Sequence, residues 1–316
     1  MSRRRFVETR TPRWQAFAKG VKALGRKRSA HFAEFPSRYR AICQDLSLAR
    51  HRRYGLGITA RLNDLVLDGH NALYGQRVSP LRNVARFLIA DFPREVREAS
   101  GLFWLCTLLF FGPFCLLTLA GWIAPEWVFA VIGPEQRATL VDNFGGAMIE
   151  RPSPVSDVQM FAFYVFNNVG IDFRIFAGGI LFGLGTLFFV LYNGVVLGAS
   201  FGYVFHADIS ENFLAFVIGH GSLELIAIPI AGAAGLKLAQ GLIAPGRMTR
   251  SHALRVRAIE GVRLLAGAGT MTFLAAFIEG FWSASPAPHA VKYVVGTLGW
   301  IVVIAFLALG GRRAAR

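Results

Sequence analysis

No apolar run long enough to cross a bilayer occurs in the first hundred residues. Acidic residues are scarce throughout, with 19 Asp and Glu against 34 Lys and Arg in a chain of 316 residues. Cysteine is rarer still, at three. Cys43 sits in the basic N-terminal region, while Cys106 and Cys115 share one apolar run and would stand roughly 13 Å apart along a helix, too far to bridge. This excludes a disulfide framework and any cysteine-based metal spacing. A Walker loop, a hydrolase elbow and a kinase motif set are also missing. The start MSRRRFVETR carries the charge of a signal-peptide n-region, but no apolar h-region follows, so the N-terminus is expected to be kept.

Apolar residues fill the rest. The chain is 54% hydrophobic, with 28 Phe and 34 Gly, and its mean hydropathy is +0.45. That is a membrane-protein profile. Residues 1–100 read as a basic cytoplasmic helical domain, holding 21 Lys and Arg against 8 Asp and Glu. Positive charge just inside a first transmembrane helix is what orientation requires. The sequence pI of 10.7 therefore points to membrane lipids, and no nucleic-acid partner is expected. In TPRWQAFAKGVKAL, Thr11 reads as an N-cap and Pro12 as the first helical residue, with Trp14, Phe17, Val21 and Leu24 on one face. Helical patterns follow at about 37–53, 58–74 and from Ser79, enough for a four-helix bundle.

Residues 101–310 read as the transmembrane domain. The run 101–123 is a first span leading outward. An outer segment, 124–172, holds six acidic residues and only Arg137 and Arg151 as basic ones. The apolar stretch 173–206 is too long for one crossing, and a turn is expected at Tyr192–Gly194, giving spans at about 174–192, 194–207 and 213–238. A cytoplasmic loop, 244–263, carries Arg247, Arg250, Arg255 and Arg257. Spans at 264–283 and 290–310 then lead to a basic cytoplasmic tail, 311–316. The expected fold is an all-α, polytopic helical membrane protein with about six transmembrane helices and an N-terminal cytoplasmic helical domain. Both termini are expected on the cytoplasmic side of a bacterial inner membrane, although a five-span count would put the C-terminus outside.

Four groups of residues are candidates for function. Gly179, Gly183, Gly194 and Gly198 have the small-xxx-small spacing that lets membrane helices approach closely. Asn167, Asn168, Asp172 and Arg174 cluster where the chain is expected to enter its second span, a pattern that suits capping and snorkelling. The arginines at 247, 250, 255 and 257 mark the cytoplasmic side. His220 and Glu224, in GHGSLELIAIPIAGAAG, are one helical turn apart on one face. Their local pattern is not that of a zincin, which needs Glu directly after the first His and a second His. With Glu279 of FIEGF they could form a polar intramembrane site. Either they clip helices together, or they line a protonatable path. One His and two carboxylates, drawing on Glu279 or on His206, would also be a sensible metal set, but no cofactor and no resident metal is expected from the motifs.

FVETRTPRWQAF, YRAICQDLSLAR, LNDLVLDGHNALYG, FPREVR, NNVGIDFRIFAGGILFGLGTLFFVLYNGVVLG, HGSLELIAIPIAGAAGLKLAQGLIAPGR and IEGF together resemble the stage II sporulation protein M family of integral membrane proteins. The N-terminal pieces look like the longer version from bacteria that do not sporulate. One departure is Lys237 in place of an expected Arg, which keeps the charge. The resemblance implies a polytopic component of a membrane complex that supports a cell-wall hydrolase, with no catalytic residue to carry over. The expectation is a non-enzymatic inner-membrane scaffold or accessory protein with membrane or envelope partners, open to homo-oligomerisation. The alternative is a transporter, channel or lipid-handling protein that uses His220, Glu224 and Glu279.

Overall fold

The computed structural model describes residues 2–24, 34–74, 80–146 and 154–312. All regular structure among these residues is helical. The chain forms two compact units, Met1–Asn83 and Val84–Arg316.

The first unit is built on α1 (Arg3–Leu24), α2 (Phe35–His51) and α3 (Leu56–Tyr74). Its core holds Phe6, Trp14, Phe17, Ile42 and Leu62. Helix α1 begins well before the expected cap at Thr11, and Pro12 lies inside it. Burial of Phe6 against Trp14 and Tyr54 draws the extra turns into the helix, and the Thr9 and Thr11 hydroxyls donate to the carbonyls of Arg5 and Val7, both at 2.7 Å. Asp45, almost fully buried, accepts from Trp14 Nε1 at 2.8 Å and pairs with Arg10 and Arg13. The expected fourth helix, α4 (Pro80–Arg86), straddles the unit boundary.

In the second unit, a π-helical turn at Phe87–Asp91 leads to α5 (Phe92–Glu98) and α6 (Ser100–Ile123). The short α7 (Glu126–Val131) and α8 (Pro134–Phe144) follow, then α9 (Pro154–Tyr164), a second π turn at Val165–Val169 and α10 (Gly170–Ala177). The remaining helices are α11 (Leu184–His206), α12 (Ser210–Ile243), α13 (Arg250–Phe277), which continues into a third π turn at Ile278–Ser283, and α14 (His289–Leu309). Among the described residues, five helices, α6 and α11 to α14, are long and apolar enough to cross a membrane. Large apolar side chains such as Leu108, Leu116, Ile301 and Val302 remain exposed on α6 and α14, as lipid-facing surfaces require. The protein is an all-α, multi-pass membrane protein.

Helix boundaries differ from the expectation in the middle of the chain. No turn occurs at Tyr192–Gly194, because α11 runs unbroken through it, and the short span at 194–207 does not exist. The reversal comes at Leu181–Gly183, where Phe182 has φ +54° and Gly183 has φ +84°. Gly183 supplies a left-handed turn and a helix start, which a residue with a Cβ adopts only at a cost. Gly194 and Gly198 instead face α6, where a Cβ would stand 2.3 Å from the Phe110 carbonyl oxygen and 2.5 Å from that of Phe114. Gly202 extends the same seam against Leu117. Gly179 is packed against the backbone of Gly235.

The chain also joins the packed helices of the second unit earlier than expected. Residues 154–177, largely assigned to the outer segment, run antiparallel along α13: Phe161 lies beside Gly280, Asp172 bonds Thr272, and Phe176 lies beside Gly261. From Gly261 to Gly280, α13 and the π turn that ends it span roughly 28 Å of helix, close to the ~30 Å of hydrocarbon in a bilayer. The arginine-rich "loop" is likewise mostly helix, since α13 begins at Arg250 and leaves a short turn containing Arg247. There Lys237 pairs with Glu260 at 3.0 Å and Arg257 pairs with it at 2.8 Å.

Helix α12 is the central element, packed against α6, α10, α11, α13 and α14. Its small residues, Gly232, Ala233, Ala234 and Gly235, let these neighbours close in. At the far end of α14, Arg97 donates to the Leu307 carbonyl at 2.6 Å and the Gly310 carbonyl at 2.5 Å, occupying acceptors that a helix C-terminus leaves without intrahelical partners.

Candidate functional site

His220 and Glu224 project from the same face of α12, and the π turn that ends α13 brings Glu279 opposite them. One ligand atom from each of the three lies within 4.8 Å of the others. A π turn inserts an extra residue into the helical ladder and rotates the residues after it. Here the turn carries both Glu279 and Ser283, and the Ser283 hydroxyl meets His220 Nδ1 at 3.0 Å. The Ser283 carbonyl accepts from Lys292 Nζ of α14 at 2.8 Å. Phe216, one turn before His220, packs edge-on against the imidazole with ring centres 5.5 Å apart.

The second π turn faces the site from the other side. Asn168 Nδ2 donates to Glu279 Oε2 at 3.4 Å, and Asn167 donates to Asn168 Oδ1 at 2.7 Å. One turn further on, buried Asp172 accepts from the Thr272 hydroxyl at 2.7 Å. Of the four polar residues assigned to a span entrance, Asn167, Asn168 and Asp172 therefore belong to this intramembrane network. Arg174 does not, and its side chain is exposed. These residues are not caps, because the helix starts at Pro154 and they lie mid-helix. His206, the other histidine considered as a metal partner, stacks edge-on with Phe129 and is outside the cluster.

A cavity of about 610 Å³ opens beside the cluster, with His220, Glu224, Glu279 and Asn168 on its surface. Its walls mix aromatic rings, including Phe163, Phe213 and Phe216, with the polar groups of Asn143, Tyr164 and Asn193. This volume lies in the range of small-molecule sites, and the lining has their character of apolar walls with a few convergent polar groups. The cluster is electrostatically demanding. Two carboxylates with oxygens no more than 4.8 Å apart repel by at least about 3.5 kcal/mol when both are charged, at an effective dielectric constant of 20, and protons or a cation would relieve that charge. The sequence did not single out Ser283, Lys292 or Thr272. Lys292 alone left a trace there, as an isolated cation at the head of an apolar run.

The model of the family described as "Stage II sporulation protein M" matches residues 103–284. The chain belongs to the stage II sporulation protein M family. The matched region contains His220, Glu224, Glu279, Asn168 and Ser283, so the whole polar cluster lies within the stage II sporulation protein M part of the chain, whereas Lys292 on α14 lies beyond it. Residues 4–75, in the first unit, match a "Domain of unknown function (DUF8413)". No curated protein and no solved structure matches the chain significantly.

Proposed function

We propose that this family member is a lipid-handling or transport protein of the bacterial inner membrane, with both termini cytoplasmic, that receives a small amphiphile in the intramembrane cavity. The observation that supports this reading best is the convergence of His220, Glu224 and Glu279 on the wall of that cavity. A purely structural clip needs no neighbouring space, and polar groups that only join helices are usually enclosed by them. Here the aromatic walls suit an apolar body and the polar wall suits a head group. Ionisable groups inside a bilayer are costly enough to mark pathways and binding sites.

The test is native mass spectrometry of the protein in lipid nanodiscs, paired with a fluorescent-phospholipid scrambling assay in liposomes. The wild type should retain a small molecule or accelerate lipid exchange, and Leu197→Trp, which adds bulk at the cavity wall, should reduce both. A folded wild type that does neither would refute the proposal.

A second role, as a scaffold or accessory component of an envelope or cell-wall-associated complex, is supported by family membership alone. It predicts stable membrane or envelope partners, or self-association, in crosslinking and pull-down from membranes. Finding none in several detergents would count against it.

A further inference from the structure

We infer that His220, Glu224 and Glu279 bind one divalent transition-metal ion, with a coordination position open to the cavity. The donors are chemically complementary: an imidazole and two carboxylates bring two negative charges, which a divalent ion neutralises. Neutrality matters here because charge is poorly tolerated at membrane depth. Three protein ligands beside a void is also the arrangement of metal sites that keep one position for an exogenous molecule, whereas purely structural sites close all four positions with protein.

The surroundings orient the donors as metal ligands are usually oriented, through hydrogen bonds to their remaining polar atoms. His220 uses Nδ1 for Ser283 at 3.0 Å, which leaves the other ring nitrogen as the metal donor. Ser283 is itself held, its carbonyl bonded by Lys292 at 2.8 Å. The Asn168 amide steadies Glu279 at 3.4 Å. Zinc–ligand distances of about 2.1 Å place tetrahedral donors roughly 3.5 Å apart. The observed spread of up to 4.8 Å closes to that by small rotations of the two glutamate side chains.

The donor set selects the ion class. Imidazole disfavours magnesium and calcium, which take oxygen shells, and no thiolate joins the cluster to favour copper(I). Zinc, manganese, iron(II), cobalt(II), nickel(II) and copper(II) remain, and Zn²⁺, Mn²⁺ and Co²⁺ sample that series. The inference deepens the cavity reading and rests on it in one respect: the open position would take an oxygen atom of whatever occupies the cavity.

The experiment is elemental analysis of the protein purified in detergent without chelator, then stripped with EDTA and reloaded separately with Zn²⁺, Mn²⁺ and Co²⁺. One equivalent is expected, and the visible absorption of the Co²⁺ form should report mixed nitrogen and oxygen coordination. Glu224→Gln and Glu279→Gln should each abolish stoichiometric binding. Ser283→Ala and Asn168→Ala, which remove only orienting bonds, should weaken binding about 10- to 100-fold and serve as the readout if a ligand variant fails to fold.

No stoichiometric uptake of any of the three ions by the folded wild type overturns the inference. So does unchanged affinity in Glu224→Gln and Glu279→Gln, or, if neither folds, in Ser283→Ala and Asn168→Ala. The two proposals fail separately: lipid retention without metal removes the metal and leaves the cavity function, and metal without lipid retention or scrambling does the reverse.

Discussion

Gly198→Ala tests how α6 and α11 are held together. A Cβ at Gly198 would stand 2.5 Å from the Phe114 carbonyl oxygen and 2.6 Å from its Cα. Both belong to a helix backbone, which cannot rotate away like a side chain. Ordinary contact begins near 3.4 Å, so the helices must part by close to 1 Å. A gap of that size forfeits a quarter to a half of each dispersion contact it opens, and the flanking glycines at 194 and 202 share the seam. Overpacking of this kind costs typically about 1–3 kcal/mol, and the upper half of that range is expected because the obstacle is backbone.

The control is the same substitution on the partner helix, α6. A methyl group added at Gly112 would have nothing within 4 Å, so Gly112→Ala should be neutral or stabilising by up to about 1 kcal/mol from helix propensity alone. Reversible unfolding in mixed detergent micelles, followed by circular dichroism, reads both variants. If Gly198→Ala is as benign as Gly112→Ala, the close packing of α6 on α11 is wrong.

Four further outcomes are expected. Gly183→Ala should destabilise the protein by about 1–2 kcal/mol in the same assay, because φ +84° is a left-handed conformation disfavoured by any Cβ; an unchanged midpoint would contradict the reversal at 181–183. Arg97→Ala removes two bonds to the terminal carbonyls of α14 and should cost about 1–3 kcal/mol, with charge-assisted bonds at the upper end; a change below about 0.3 kcal/mol would show that water replaces it fully. Asp45→Ala leaves Arg10, Arg13 and Trp14 without their shared acceptor and should lower the stability of the N-terminal unit by about 1–3 kcal/mol, discounted because the arginines reach solvent; tryptophan fluorescence during urea unfolding of the full chain measures it. In a cysteine-free background, Glu135→Cys and Pro286→Cys should react with an impermeant maleimide on intact inner-membrane spheroplasts, and Met248→Cys only after permeabilisation. Labelling of Met248→Cys from outside would break the proposed orientation.

Much of the fold was legible because hydrophobic cost is local. A run of some twenty apolar residues must be buried in lipid or protein whatever its neighbours do, and so α6, α12, α13 and α14 could be read directly. Helical spacing likewise put His220 and Glu224 on one face. Residues 154–177 escaped notice because Asp157, Asn167, Asn168, Asp172 and Arg174 dilute their hydropathy. What lets Asn168 and Asp172 sit at membrane depth is their bonding to Glu279 and Thr272, partners more than ninety residues away in sequence that no local pattern displays. The glycines show the same limit. Gly183 and Gly194 are one residue type at similar spacings, and only the packed structure makes one a reversal and the other a close contact.

The sequence by itself determined that this chain is helical, that it crosses the membrane several times and that its polar intramembrane candidates are His220, Glu224 and Glu279. Composition and periodicity act within a single helix, and those conclusions need nothing more. The tertiary structure alone decided that the three meet on a cavity wall. Their meeting depends on the antiparallel pairing of α12 with α13 and on a π turn that rotates Glu279 and Ser283 toward His220, and these arise from packing between segments far apart along the chain.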